Sequence, residues 1–122
     1  MNHKRIIVFE NDGRMEPDIC GQVIDLINSE ISGSKNMSIA TIFVDPGKES
    51  KMHFHKKMEE IYYILDGKGE ININGIVTKI KKGYAILLPV GSKHQIRNTG
   101  QKVLKFISVD SPSFEENDIY IE

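Results

Sequence analysis

Three histidines fall in two segments whose spacing suits metal ligation: His53 and His55 in one, His94 in the other. His53 and His55 stand two positions apart, so on an extended strand both imidazoles leave the same face and one strand offers two ligands to one ion. Glu59-Glu60 opens the next apolar run, Ile61 to Leu65, and a carboxylate there can return to the same ion from a neighbouring strand. Adjacent strand residues face opposite ways, so Glu60 shares a face with Tyr62 and Ile64 and points inward, while Glu59 is left to solvent. His94 follows Pro89-Val90-Gly91, where a strand-stopping proline and a glycine hold the histidine at the start of a new strand. Three neutral imidazoles and one carboxylate make a nitrogen and oxygen donor set suited to divalent Mn, Fe, Co, Ni, Cu or Zn and poorly suited to Ca or Mg. On a five- or six-coordinate ion that set leaves positions open for water, oxygen or a chelating substrate. The competing reading is a metal-free barrel with a polar interior.

Glu60 and Tyr62 are the candidate catalytic residues, Glu60 as a carboxylate and Tyr62 as a phenol that either hydrogen-bonds a substrate or only packs. Lys51 would share the inward face if its strand reached that far, but a buried ammonium beside a metal is costly, which places it at the barrel mouth. Asn98 reads as a structural hydrogen-bonding group, Cys20 as a small core residue and His3 as unrelated to the site.

The elements that must carry these residues are short strands. Ser38 to Val44 stops at Asp45-Pro46-Gly47, and Ile61 to Leu65 stops at Asp66-Gly67. Glu70 to Asn74 and Ile76 to Lys81 flank Asn74-Gly75, the pair a type I′ hairpin turn demands because both central positions need positive φ. Tyr84 to Leu88, His94 to Asn98 and Val103 to Val109 complete a series spaced at about ten residues, a pattern of all-β sandwiches and barrels. Asp18 to Ile31 carries both helical spacing and strand-forming residues and leans extended. Ser32 to Asn36 is a loop by composition, and Ser111 to Glu122 reads as an acidic tail after Pro112.

A chain of 122 residues is the size of a single domain. Sixteen Lys and Arg against seventeen Asp and Glu give a net charge of -1, which offers no general attraction to nucleic acid or to an anionic membrane. One cysteine excludes an intrachain disulfide framework and any multi-cysteine metal site, and points to a reducing cytoplasm. The opening apolar run, Ile6 to Phe9, is too short for a signal-peptide core. No stretch approaches the roughly 20 apolar residues of a membrane helix.

The two segments match the cupin signature, as G-x5-H-x-H-x4-E-x6-G at Gly47, His53, His55, Glu60 and Gly67 and as G-x5-P-x-G-x2-H-x3-N at Gly83, Pro89, Gly91, His94 and Asn98. The chain thus resembles the small single-domain cupins, of the mannose-6-phosphate-isomerase-like type. The resemblance implies an antiparallel jelly-roll β-barrel over residues 1–122, with motifs over 47–98, approach strands over 1–37 and a tail over 111–122. It also implies a divalent metal, Fe, Mn, Ni, Zn or Cu, held by His53, His55, Glu60 and His94, and a homodimer. The expected activity is Lewis-acid isomerase, epimerase or decarboxylase chemistry on a small polar molecule such as a sugar or keto compound. Fe- or Mn-dependent dioxygenation and non-catalytic ligand capture are the alternatives.

Overall fold

The structure, a computed structural model, describes residues 5–122, so His3 lies outside the described residues. The strands are β1 (Glu16–Asp18), β2 (Gly21–Ile27), β3 (Ser38–Val44), β4 (His53–Phe54), β5 (Glu59–Asp66) and β6 (Lys68–Ile73). They continue as β7 (Ile76–Lys81), β8 (Ala85–Leu88), β9 (His94–Asn98), β10 (Leu104–Ser111) and β11 (Tyr120–Ile121). Among the described residues they form two antiparallel sheets, a six-stranded one ordered β1-β2-β3-β10-β5-β8 and a five-stranded one ordered β11-β4-β9-β6-β7. This is the jelly-roll arrangement that the sequence leads one to expect, and no described helix is long and apolar enough to cross a membrane.

Alternation along the strands makes the interior. On β5, Glu60, Tyr62 and Ile64 are buried while Glu59, Ile61 and Tyr63 are exposed. On β10, Leu104, Phe106, Ser108 and Asp110 are all buried. The two strands pair so that Asp110 lies opposite Glu60 and Ser108 opposite Tyr62. Toward one end the inward residues are apolar, with Val44, Ile64, Leu104 and Phe106 wholly enclosed. Toward the other they become polar, and the site sits there. The apolar end supplies the burial that holds the sheets together, and the polar end is thereby free to carry chemistry.

The β6–β7 hairpin turns through Asn74 and Gly75 at φ 52° and 91°, as a type I′ turn requires. Of the alternating residues on β7, only Ile80 is buried, because β7 is an edge strand and Ile76 lies beyond the cover of the facing sheet. Gly67, at φ 88°, joins β5 to β6 where a Cβ would come 2.9 Å from the Val103 carbonyl oxygen, so both the turn and the close approach need glycine there.

The ambiguous stretch from Asp18 to Ile31 resolves into both of its signals. Its Ile- and Val-rich part is β2, and its end is a one-turn helix, α1 (Ser29–Ser32). Asn28 caps that turn by accepting the Ile31 N–H at 2.7 Å, and Gly33 closes it in the left-handed region. The closing segment differs from the expected loose tail. It forms a 3-10 turn over Glu116–Asp118 and then β11, which pairs with β4 and extends the second sheet.

Candidate metal centre

His53 and His94 are directly opposite each other on β4 and β9, and their ring centroids stand 4.2 Å apart. β4 itself is only two residues long, so His55 lies just past its end, yet it remains inward and buried like His53. The ligand atoms of His53, His55 and His94 all lie within 4.8 Å of one another. Glu60 reaches the same point from the opposite sheet, with Oε1 at 3.5 Å from His55 Nε2 and 3.4 Å from His94 Nε2. Two ligands each about 2.1 Å from a shared ion stand roughly 3.4 Å apart at a tetrahedral angle, so these separations suit a common cation.

Backbone carbonyls fix the orientation of every ring. His53 Nδ1 pairs with the Lys51 carbonyl at 2.7 Å, His55 Nδ1 with the Asp118 carbonyl at 2.8 Å and His94 Nδ1 with the Ser92 carbonyl at 3.1 Å. A carbonyl only accepts, so each Nδ1 carries the hydrogen and each Nε2 is left with its lone pair toward the centre. His55 Nε2, His94 Nε2 and Glu60 Oε1 are buried and meet no hydrogen-bond donor or acceptor of good geometry. Buried polar atoms are almost always partnered, and three orphans at one point fit a cation.

The electrostatics agree. Burial, followed by the neighbouring His94, pushes the His53 imidazole down to about 4, which keeps it a neutral donor at pH 7. Burial also opposes charge on His55, but the Glu60 carboxylate outweighs it and holds His55 above its ordinary value. For Glu60 burial opposes charge, but the close approach of His55, then His94 and Asp110, outweighs it and keeps the carboxyl well below its usual range. A carboxylate among imidazoles selects a positive centre, which a metal ion supplies without protonating the rings.

A second ring of residues holds the first. The Ser108 hydroxyl donates to Glu60 Oε2 at 2.9 Å, leaving Oε1 for the centre. Asp110 is pushed up to about 10 by burial and then by Glu60, so it is a neutral acid at pH 7. Tyr62 is fully buried, with its hydroxyl 3.9 Å from Cys20 Sγ and its ring edge-on to His94. Burial, followed by Cys20 and Glu60, raises the phenol well above its ordinary value, so it is neutral and able to donate. Both Tyr62 and Cys20 line a cavity of about 400 Å3 that adjoins His53, His55 and Glu60.

Among the other residues read from the sequence, Lys51 is exposed and outside the cavity, and Glu59 is exposed. The Asn98 amide donates to the Val44 and Lys102 carbonyls and accepts from Gly100 N–H, a structural role. Cys20 is buried, though at the cavity wall as well as in the core. Sequence reasoning passed over Ser108, Asp110, Asp18 and Asp118. The first two had a signal, because they continue the inward alternation of Leu104 and Phe106 with polar groups; Asp118, remote in sequence from His55, had none.

A cupin domain model matches residues 40–110, which span all four candidate ligands. An uncharacterised protein of Methanocaldococcus jannaschii is 32% identical over 120 residues, covering 96% of this chain and 95% of that one. The oxalate-binding protein of Thermotoga maritima is 34% identical over 88 residues, 72% of this chain and 73% of that one. The crystal structure of a predicted oxalate decarboxylase from Thermotoga maritima superposes with a TM-score of 0.78 at 30% identity, covering 88% of this chain and 99% of that one. With the motif residues meeting at one point inside a two-sheet β scaffold, the chain belongs to the cupin family.

Proposed function

We propose that this cupin binds a divalent transition metal through His53, His55, His94 and Glu60, and uses it on a small polar metabolite in isomerase, epimerase or decarboxylase chemistry. The observation that carries the reading is the convergence of buried, unpartnered His55 Nε2, His94 Nε2 and Glu60 Oε1 on one point. When bound, the ion supplies Lewis-acid polarisation of a substrate oxygen. Glu60 is held ionised and directed at the ion, which makes it a ligand and a poor base. Tyr62 stays a neutral phenol at the cavity wall, placed to donate a proton or hydrogen bond to a bound molecule. A bare capture module needs only the ligands and apolar walls. The polar groups Tyr62, Asp18 and Asp110 on the same cavity favour catalysis. The likeness to a predicted oxalate decarboxylase of Thermotoga maritima supports the decarboxylase branch.

Metal analysis of protein purified without added metal or affinity tag tests this reading. One transition-metal ion per chain is expected, with occupancy falling at least tenfold in His53→Ala, His55→Ala and His94→Ala at unchanged circular dichroism, and unchanged in His3→Ala. Equal occupancy in all four variants removes the site. Bound iron with oxygen uptake, compared under air and nitrogen, would replace Lewis-acid chemistry by oxidation.

A further inference from the structure

The cavity beside the histidines is bordered by six carboxyl groups and by no lysine or arginine. They are graded in depth: Glu60 and Asp110 are buried, Asp18 is half-buried, and Glu16, Asp25 and Glu116 are exposed around the mouth. Glu16 is met from outside by Arg14 at 3.5 Å; with that pair and a neutral Asp110 set aside, four carboxylates still face the two charges of a divalent ion, so the space remains negative after the metal is bound. Low-dielectric walls concentrate such a field and raise the local concentration of cations.

A second observation comes from a buried acid on the wall of that space. Asp110 is only 4% exposed, and its Oδ1 meets no donor although it borders the cavity. Asp18 Oδ1 accepts the Cys20 N–H at 2.9 Å, and among the described residues no cationic side chain pairs with it. Burial, followed by the charges of Glu60 and Glu116, raises the Asp18 carboxyl. A second metal ion does not answer this arrangement. Among the described residues, no group of three or more His, Cys, Asp or Glu away from the histidine centre brings its ligand atoms within 4.8 Å of one another. Carboxyls more widely dispersed than that suit donors spread along an organic molecule.

We propose that the cavity takes a small organic cation, with chelating oxygens on the metal and an ammonium group among Asp18, Asp110 and the rim carboxylates. The oxygen half of the inference rests on the metal reading, whereas the ammonium half rests on the carboxyls alone. The same groups repel dianions such as oxalate, so any decarboxylation at this site acts on a carboxylate that also carries an ammonium group.

A matched set of probes tests the charge preference: 3-amino-1,2-propanediol, glycerol and glycerate share a three-carbon polyol frame and differ in charge. They are titrated by NMR at low ionic strength into zinc-loaded protein and into chelator-treated protein. The aminodiol is expected to bind more tightly than glycerol in both forms. Asp18→Asn, which keeps the acceptor for Cys20 N–H, should weaken the aminodiol about fivefold and tighten glycerate by a similar factor. Should that variant not fold, Asp25→Asn on the exposed rim must show the same opposed pair of changes. Aminodiol binding no tighter than glycerol, a same-direction response of the two charged probes, or a second retained zinc ion overturns the proposal. Loss of zinc binding overturns the metal reading instead, and the chelator-treated protein still reports the charge order.

Discussion

Each imidazole of the centre is fixed at its far nitrogen by a backbone carbonyl and Glu60 is fixed at its far oxygen by Ser108, so the donor atoms are organised before any ion arrives. Such outer partners typically change metal affinity by about 10- to 100-fold. Ser108→Ala therefore should weaken metal binding by about tenfold while the barrel keeps its secondary structure, measured by competition with a chromophoric chelator. Asp18 makes a separate prediction about stability. Its folded-state carboxyl lies above its ordinary value, so between the two values the folded chain binds more protons than the unfolded one, and stability falls as pH rises through that window. Below the ordinary value both states are protonated and the loss is absent. Asp18→Asn should thus raise the melting temperature of metal-free protein at pH 7 and change it little at pH 3; an equal rise at both would mean the charge is irrelevant. At this scale the sequence was most legible for the ligands themselves, because H-x-H on one strand and a carboxylate on the next have a direct geometric meaning. It was least legible for Asp18 and Asp110, whose roles exist only where separate strands close a cavity.

The element that most affects the site is the closing segment. Asp118 is buried, and its two carboxylate oxygens accept from the Lys56, Lys57 and Met58 N–H groups at 2.9 to 3.2 Å. Its carbonyl meanwhile receives the Nδ1 hydrogen of His55. One residue thus clamps the loop after β4 and aims a ligand carried by that loop, while β11 anchors the clamp by pairing with β4 and stacking Tyr120 on Phe54. Asp118→Asn keeps one acceptor oxygen and turns an amide toward the remaining N–H groups. Metal affinity should fall by about tenfold, with zinc retained by His53, His94 and Glu60 more loosely and global circular dichroism preserved. Unchanged affinity would reduce Asp118 to a loop cap with no influence on His55. The strands from β3 to β10 were legible in advance because their alternation and turn residues are local. The order in this segment was not, since four acids after a proline look solvated until β4 and the loop beside it supply backbone donors.

At the scale of the whole molecule, the described residues cover the outer face of the six-stranded sheet on one side only. Near β3 the chain's own earlier segment lies over it, with Glu10 bonded to Lys105 at 3.1 Å. Near β5 and β8, past Glu59 at the very start of β5, the outward residues are Ile61, Tyr63, Ala85 and Leu87, all exposed, with Ile61 opposite Leu87 and Tyr63 opposite Ala85. Not one of the four is charged, and β8 is the edge of its sheet, so its outer backbone groups are unpaired within it. An uncharged patch can meet its own copy across a two-fold axis without repulsion, and an exposed strand edge is a template for pairing. We propose that the expected homodimer forms through this β5–β8 face. Sedimentation at micromolar concentration should give twice the chain mass for the natural sequence and a monomer for Leu87→Glu, which sets two like charges near the axis. The cavity opens on the side of β1, β2 and the closing turn, away from β8, so the Leu87→Glu monomer should keep its full complement of bound metal. A natural chain that sediments as a monomer excludes this face as a stable interface. Metal lost together with the dimer would show instead that the two sheets need the partner to hold Glu60 against the histidines.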